Sequence, residues 1–274
     1  MGSPTGQAAR PDPIRTFGTS ATWVLVGSLT CLVALTWMVL SVGADDLDRW
    51  IHTGPVEANW LLRLSGLMSS LGSAPVRAAL LTTALAGLAI LRRRREAGYV
   101  VFVVATVHVI DRFAKALVGR QRLPDPQRGY ALAGQARLIV VAVILAGAAW
   151  LIGRRSAIAM LWLVPVYLGV VVLQRLLATV PVSVGSDSFP SGHASNTMAL
   201  LTALAIVRPP GRRWTFLALA GLVFVVLVGV SRVTLGFHYP TDVLAGWFLA
   251  VSIAMLARPL AGPGREAGSE LDQV

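Results

Sequence analysis

The sequence predicts an all-α polytopic membrane bundle of about eight spanning helices. Three observations carry that prediction. Of 274 residues, 55% are hydrophobic and only 14% are charged, and mean hydropathy is +0.68, outside the range of soluble domains. Eight apolar runs approach the roughly 20 residues a helix needs to cross the hydrocarbon. Arginines gather between alternate runs, as the positive-inside tendency requires.

The runs are 21–42, 72–91, 98–118, 136–152, 157–179, 191–207, 214–231 and 240–257, the fourth and sixth being short. Residues 1–20, rich in Pro, Gly, Ser and Thr, read as a disordered tail, and 259–274 as a second tail. The first run is too long for a signal-peptide core and is read as a retained span. Arg10 and Arg15 precede it, Arg92 to Arg95 follow the second run, and Arg154 and Arg155 follow the fourth. Arg208, Arg212 and Arg213 follow the sixth, and Arg258 and Arg265 the eighth. With eight spans all of these share one side, which is cytoplasmic together with both termini. Asp45, Asp46, Asp48, Asp125 and Asp187 fall on the other side. In 44–71, Trp50 and the helically spaced Trp60, Leu64, Leu67, Met68 and Leu71 suit an interfacial anchor or an early start of the second span. The sharper alternative is a wall of a slot that admits lipid.

A formal net charge of +11 does not indicate nucleic acid, because the arginines flank apolar runs instead of forming a polar face interleaved with aromatics. The single cysteine, Cys31, lies inside an apolar run, so intrachain disulfides are excluded. No His, Cys and carboxylate cluster has ligand spacing, so no metal and no cofactor is expected.

Three stretches on the predicted external side carry chemistry. Pro190-Ser191-Gly192-His193 opens an apolar helix. The first helical turn has unpaired N–H groups and partial positive charge, which suit a phosphate. Ser191 can donate a hydroxyl, Gly192 permits close approach to the backbone, and His193 can carry a proton near neutral pH. In Ser231-Arg232-x5-His238-x3-Asp242, Pro240 starts a helix with His238 at its mouth. An imidazole that attacks phosphorus must keep a proton on its other nitrogen, and Asp242 can accept that N–H. Arg232 offers a planar fork for two phosphate oxygens. The third stretch, Lys115-x6-Arg122, contains the only lysine among 24 basic residues. His108, Asp111 and Lys115 share one helical face. An ion pair of Asp111 with Lys115 or Arg112 that orients the site is favoured over a proton path, because ionisable groups in spans pair. His52, in a polar loop, reads as solvated.

These residues resemble the type 2 phosphatidic acid phosphatase (PAP2) superfamily, whose pattern is K-x6-R-P, then P-S-G-H, then S-R-x5-H-x3-D. The second and third elements match in full. The first has Leu123 where the family has proline, with Pro124 following, and the Asp45 to Gly72 loop is similar to the family's first external loop. The resemblance implies a six-helix core within 21–258, interrupted by an inserted hairpin at 136–180. It implies that His238 attacks phosphorus to form a phosphohistidine, that Asp242 orients it, and that His193 protonates the leaving oxygen. Lys115, Arg122, Arg232, Ser191 and Gly192 would hold the phosphate oxygens. A rival register uses Arg175 as the first-element cation, although Gln174 and Val180 stand where lysine and arginine are expected.

The expected activity is metal-independent hydrolysis of a lipid phosphate or polyprenyl diphosphate at the external face of a plasma membrane. Heavy use of alanine and arginine suggests a GC-rich bacterium. The expected partners are that lipid substrate and the bilayer, and the oligomeric state is open. The alternatives are a phosphotransferase using the same phosphohistidine and a non-catalytic lipid carrier or scaffold with an inherited pocket.

Overall fold

The computed structural model describes residues 19–41, 48, 58–123, 126–130, 132, 134–154, 161–178 and 187–262. Nearly all of the predicted tail at 1–20 and the chain beyond Gly262 lie outside these residues. So do Asp45, Asp46, Trp50, His52, Pro124, Asp125, Arg155 and Val180. The described helices are α1 (Thr19–Ser41), α2 (Asn59–Leu71), α3 (Ala74–Ile90), α4 (Arg94–Val118), α5 (Gly134–Gly153), α6 (Leu163–Ala178), α7 (Gly192–Val207), α8 (Arg212–Thr234) and α9 (Pro240–Leu256). Strand pairing among the described residues is limited to an isolated bridge between Gln121 and Asp187.

Eight of these helices overlap the eight apolar runs, and α2 is the addition. Its axis bends by 49° into α3. The break falls at Gly72-Ser73, where Pro75 in the first turn of α3 lacks the N–H that a continuous helix would use. By length and composition the bent α2–α3 pair is either a broken span or a re-entrant loop. Length and apolar composition qualify three helices, α1, α5 and α8, to cross a membrane, or four if α2 and α3 count as one. α6, α7 and α9 are apolar but short, and α4 carries Glu96, Asp111, Arg112 and Lys115 along its 25 residues.

α7 lies at the centre, packed on α4, α8 and α9, while α9 in turn holds α1. Val103 and Val107 of α4, Ala199 and Ala203 of α7, and Ala250 and Ala254 of α9 are wholly enclosed. Small side chains let these backbones approach closely, the usual device where lipid supplies no hydrophobic drive between helices. Two polar pins cross the bundle: the Tyr99 hydroxyl donates to the Ala254 carbonyl at 2.9 Å, and Ser252 meets Ser28 at 2.9 Å. Trp37, Val143, Leu161 and Phe216 remain at least 66% exposed on the outside, as a lipid-facing surface requires.

α5 and α6 pack against α3, to one side of the α4–α7–α9 core. The chain leaves the core after α4 and returns before α7, and the two ends meet. The Gln121–Asp187 bridge and the Ser188 N–H bonded to the Arg120 carbonyl at 2.6 Å join them. The chain before α5 and the chain after α6 therefore lie together.

Candidate active site

His238 lies in the short loop between α8 and α9 and is 2% exposed. Its Nδ1 is 2.9 Å from the Ser188 carbonyl oxygen and 3.4 Å from Asp242 Oδ2. A carbonyl only accepts, so Nδ1 carries the proton and Nε2 keeps its lone pair. The tautomer is the expected one, but its nearer acceptor is a backbone carbonyl that spacing along the sequence does not reveal. Burial pushes the imidazole below its ordinary pKa; the Asp242 hydrogen bond and charge oppose that shift, and Arg232 reinforces it.

Asp242 is wholly enclosed and fully engaged. Its Oδ2 accepts the Tyr239 N–H at 3.0 Å at the start of α9, and its Oδ1 accepts Arg120 Nη1 at 3.0 Å. The same guanidinium donates to Thr241 Oγ1 at 2.8 Å and to Asp48 Oδ2 at 2.6 Å, and lies 3.9 Å over the Tyr239 ring. Asp48 also accepts the Thr241 N–H at 3.1 Å and its hydroxyl at 2.7 Å. Two buried carboxylates are therefore bridged by one buried arginine, so each charge has its partner. Sequence reading singled out neither Arg120 nor Thr241, and it assigned Asp48 only a place on the external side.

On α4, Asp111 pairs with Lys115, which settles the choice between Lys115 and Arg112 as its partner. Asp111 Oδ1 also accepts the Ser195 hydroxyl at 3.0 Å. A Cβ on Gly192 would lie 3.1 Å from Asp111 Oδ2 and 3.5 Å from Lys115 Nζ. Gly192 thus lets the α4 ion pair reach the first turn of α7, in addition to leaving its backbone open to an anion. The start of α7 is held against α9 by the Ser191 N–H bonded to the Asp242 carbonyl at 2.9 Å. At that contact a Cβ on Gly246 would meet the Ser191 oxygen at 2.9 Å and the Ser195 nitrogen at 3.0 Å.

The remaining cations close in from α8 and from the chain after α4. Arg232 donates to Ser69 Oγ of α2 and lies 4.0 Å over the Phe237 ring. Its charge feels those of Arg122 and Arg77. His193 in turn is within electrostatic reach of Arg232, Arg77, His238 and Lys115. Arg122 reaches the Asp187 carbonyl at 3.4 Å. Ser191 Oγ and Arg232 Nε are two of eight buried side-chain polar atoms that have no hydrogen-bond partner among the described residues. Unpaired buried donors beside clustered cations are what an anion site needs before its ligand arrives.

The structure therefore brings together His193, His238, Asp242, Lys115, Arg122, Arg232, Ser191, Gly192 and Asp111. Arg175, in the last turn of α6, is exposed and does not join them. His108, on the Asp111 face of α4, lines a cavity of about 80 Å³ with Gln174 and Asn196. Arg77, on α3, was not anticipated, because its distance in sequence from every motif leaves no local signal.

Known proteins resemble this chain in sequence and in fold. Over 77 residues the chain is 36% identical to an undecaprenyl-diphosphatase of Sulfolobus acidocaldarius, covering 28% of this chain and 35% of that protein. It is 38% identical over 77 residues to a lipid A 1-phosphatase of Rhizobium johnstonii, covering 26% and 29%. It is 37% identical over 81 residues to phosphatidylglycerophosphatase B of Bacillus subtilis, covering 27% and 38%. These matches thus span about a third of the relatives' length. The crystal structure of the transmembrane PAP2-type phosphatidylglycerolphosphate phosphatase of Bacillus subtilis superposes with a TM-score of 0.58 at 18% identity, covering 86% of this chain and 95% of that one. The chain thus shares the fold of an integral membrane protein. The sequence profile of the PAP2 superfamily matches residues 96–262, more than half of the chain and all three motif stretches. The chain belongs to the PAP2 superfamily.

Proposed function

We propose that this protein is an integral membrane phosphatase that hydrolyses a lipid phosphate or polyprenyl diphosphate through a phosphohistidine on His238. The observation that carries this reading is the state of His238. Its Nδ1 proton is held by the Ser188 carbonyl, which leaves Nε2 free, while unpartnered Ser191 Oγ and Arg232 Nε lie among the clustered cations.

In the first step Nε2 bonds to phosphorus as the bond to the leaving oxygen breaks, and His193 gives that oxygen a proton. Asp242 stabilises the imidazolium that develops, as the carboxylate does in acyl-transfer triads. Lys115, Arg122 and Arg232 offset charge on the equatorial oxygens. Water then attacks the phosphohistidine, its proton passes to His193, and inorganic phosphate leaves. Because side-chain cations fill the electrostatic role, hydrolysis should proceed in a chelator.

The α5–α6 hairpin is an insertion within a single catalytic domain. The arginine-bearing ends of the helices lie on the cytoplasmic side, and the site faces outward. A headgroup then meets the motif residues while its tail stays in the bilayer. The test is phosphate release by purified protein from phosphatidate, phosphatidylglycerophosphate and undecaprenyl diphosphate, with His238→Ala as blank. Release from one or more lipids in chelator, absent in the variant, is expected. Undiminished release by His238→Ala, or a strict magnesium requirement, would overturn the reading.

A further inference from the structure

Far from the motif residues, at the other ends of the same helices, a cleft of about 1080 Å³ opens between α3, α5, α7 and α8. Ligand pockets usually occupy about 300–1,000 Å³, so this cleft can take more than a single side chain. Gly87, Ile152, Leu204 and Leu217 form its four walls. α5 rests on α3 and α7 on α8, and the cleft lies between these two pairs.

Three arginines, Arg93, Arg154 and Arg208, stand around the cleft. Each comes from the end of a different helix, so the fold gathers them and the sequence does not. Arg93 pairs with Glu96 at 3.0 Å. Arg154 lies 4.5 Å over the Trp150 ring, and Arg208 donates to the Ala205 carbonyl at 2.8 Å. Neither of these two faces a carboxylate among the described residues. Their contacts orient the guanidinium groups and supply no opposite charge from the described residues. The walls are apolar and the mouth is cationic, which is the complement of an amphiphile with an anionic head.

We infer that this cleft is a binding site for an anionic phospholipid of the leaflet opposite the catalytic end. The phosphodiester would sit among Arg154, Arg208 and Arg93, and the acyl chains would fill the gap between the two helix pairs. Basic pockets between spanning helices hold anionic headgroups by this combination of charge and depth. The inference is independent of the phosphatase reading.

The test is native mass spectrometry of the detergent-solubilised full chain, titrated with dioleoyl phosphatidylglycerol or dioleoyl phosphatidylcholine. Three variants locate the binding. Arg154→Gln/Arg208→Gln removes the head contacts. Gly87→Phe fills the cleft without a clash at its root, since a Cβ there meets nothing within 4 Å. Arg212→Gln/Arg213→Gln removes equal charge at the same end from residues that do not line the cleft. Phosphatidylglycerol should bind at least about ten-fold more tightly than phosphatidylcholine, with about five-fold lost for each lining arginine removed. Gly87→Phe should abolish the retained lipid, and the control pair should change nothing. Equal retention of the two lipids would overturn the inference. So would a preference that survives both the arginine and the glycine changes, an equal loss in the control pair, or a dimer whose formation excludes lipid.

Discussion

The two ends of this bundle use the same residue type in different ways. At the motif end, Arg232 is 7% exposed and the Arg120 side chain 9% exposed, and both are built into hydrogen-bonded networks. At the opposite end, Arg92, Arg94, Arg95, Arg212 and Arg213 are exposed. Exposed charges at a membrane surface set orientation at little energetic cost. Buried charges are expensive unless paired, so a fold that retains them has arranged their partners. Counting arginines therefore supports only an expected topology, whereas their burial and partners mark the site.

That contrast is sharpest at Arg120. Removing it strands Asp48 and Asp242 together, and breaking a buried pair costs about 3–5 kcal/mol. Arg120→Gln should lower the midpoint of thermal unfolding and reduce kcat by about a hundred-fold, the scale of losing a positioned catalytic partner. Arg212→Gln should stay within about 0.5 kcal/mol of wild type. Comparable shifts in the two variants, followed by thermal unfolding, would erase the distinction between the ends.

A backbone contact supplies the next largest effect. Gly246→Ala forces a methyl against the Ser191 oxygen and Ser195 nitrogen. Overpacking of this kind costs about 1–3 kcal/mol, and here it also shifts the first turn of α7. Activity should therefore fall further than stability alone predicts. A glycine change at the other end, Gly98→Ala, meets open space and should be silent in the same unfolding and turnover assays.

The pH profile tests the buried imidazole. In the proposed mechanism His238 must be neutral at Nε2 to attack, and burial lowers its pKa, so activity should persist as pH falls past the ordinary value of about 6.5. The acid limb of kcat/KM should lie below that value. Because Asp242 raises the pKa, Asp242→Asn should move the limb lower still while reducing the maximal rate. A limb displaced upward in that variant would contradict the assignment. The smallest effect belongs to Arg175→Ala. An exposed side chain on α6 should leave turnover within error, and a large loss would revive the register that places Arg175 in the site.

How much of this was legible in the sequence follows from the range of each interaction. His238 and Asp242 were readable because their four-residue spacing at a helix start encodes their relation, and His193 because Pro190-Ser191-Gly192-His193 marks the start of another helix. The helical class was readable because hydropathy is a local sum. Arg120, Arg77 and Ser69 were not, since their roles arise from contacts between segments distant in sequence. The Ser188 carbonyl was hidden for a further reason: any residue supplies a carbonyl, so no residue type marks it. The helices themselves were readable as apolar runs, whereas the number that cross the membrane does not follow from length and composition alone.

The most direct measurement is to trap the covalent intermediate. Rapid quenching of the protein turning over a ³²P-labelled lipid phosphate should give an acid-labile, alkali-stable label on the His238 peptide, absent from His238→Ala. A label on another residue, or full turnover without any label, would contradict the central claim that His238 is the nucleophile.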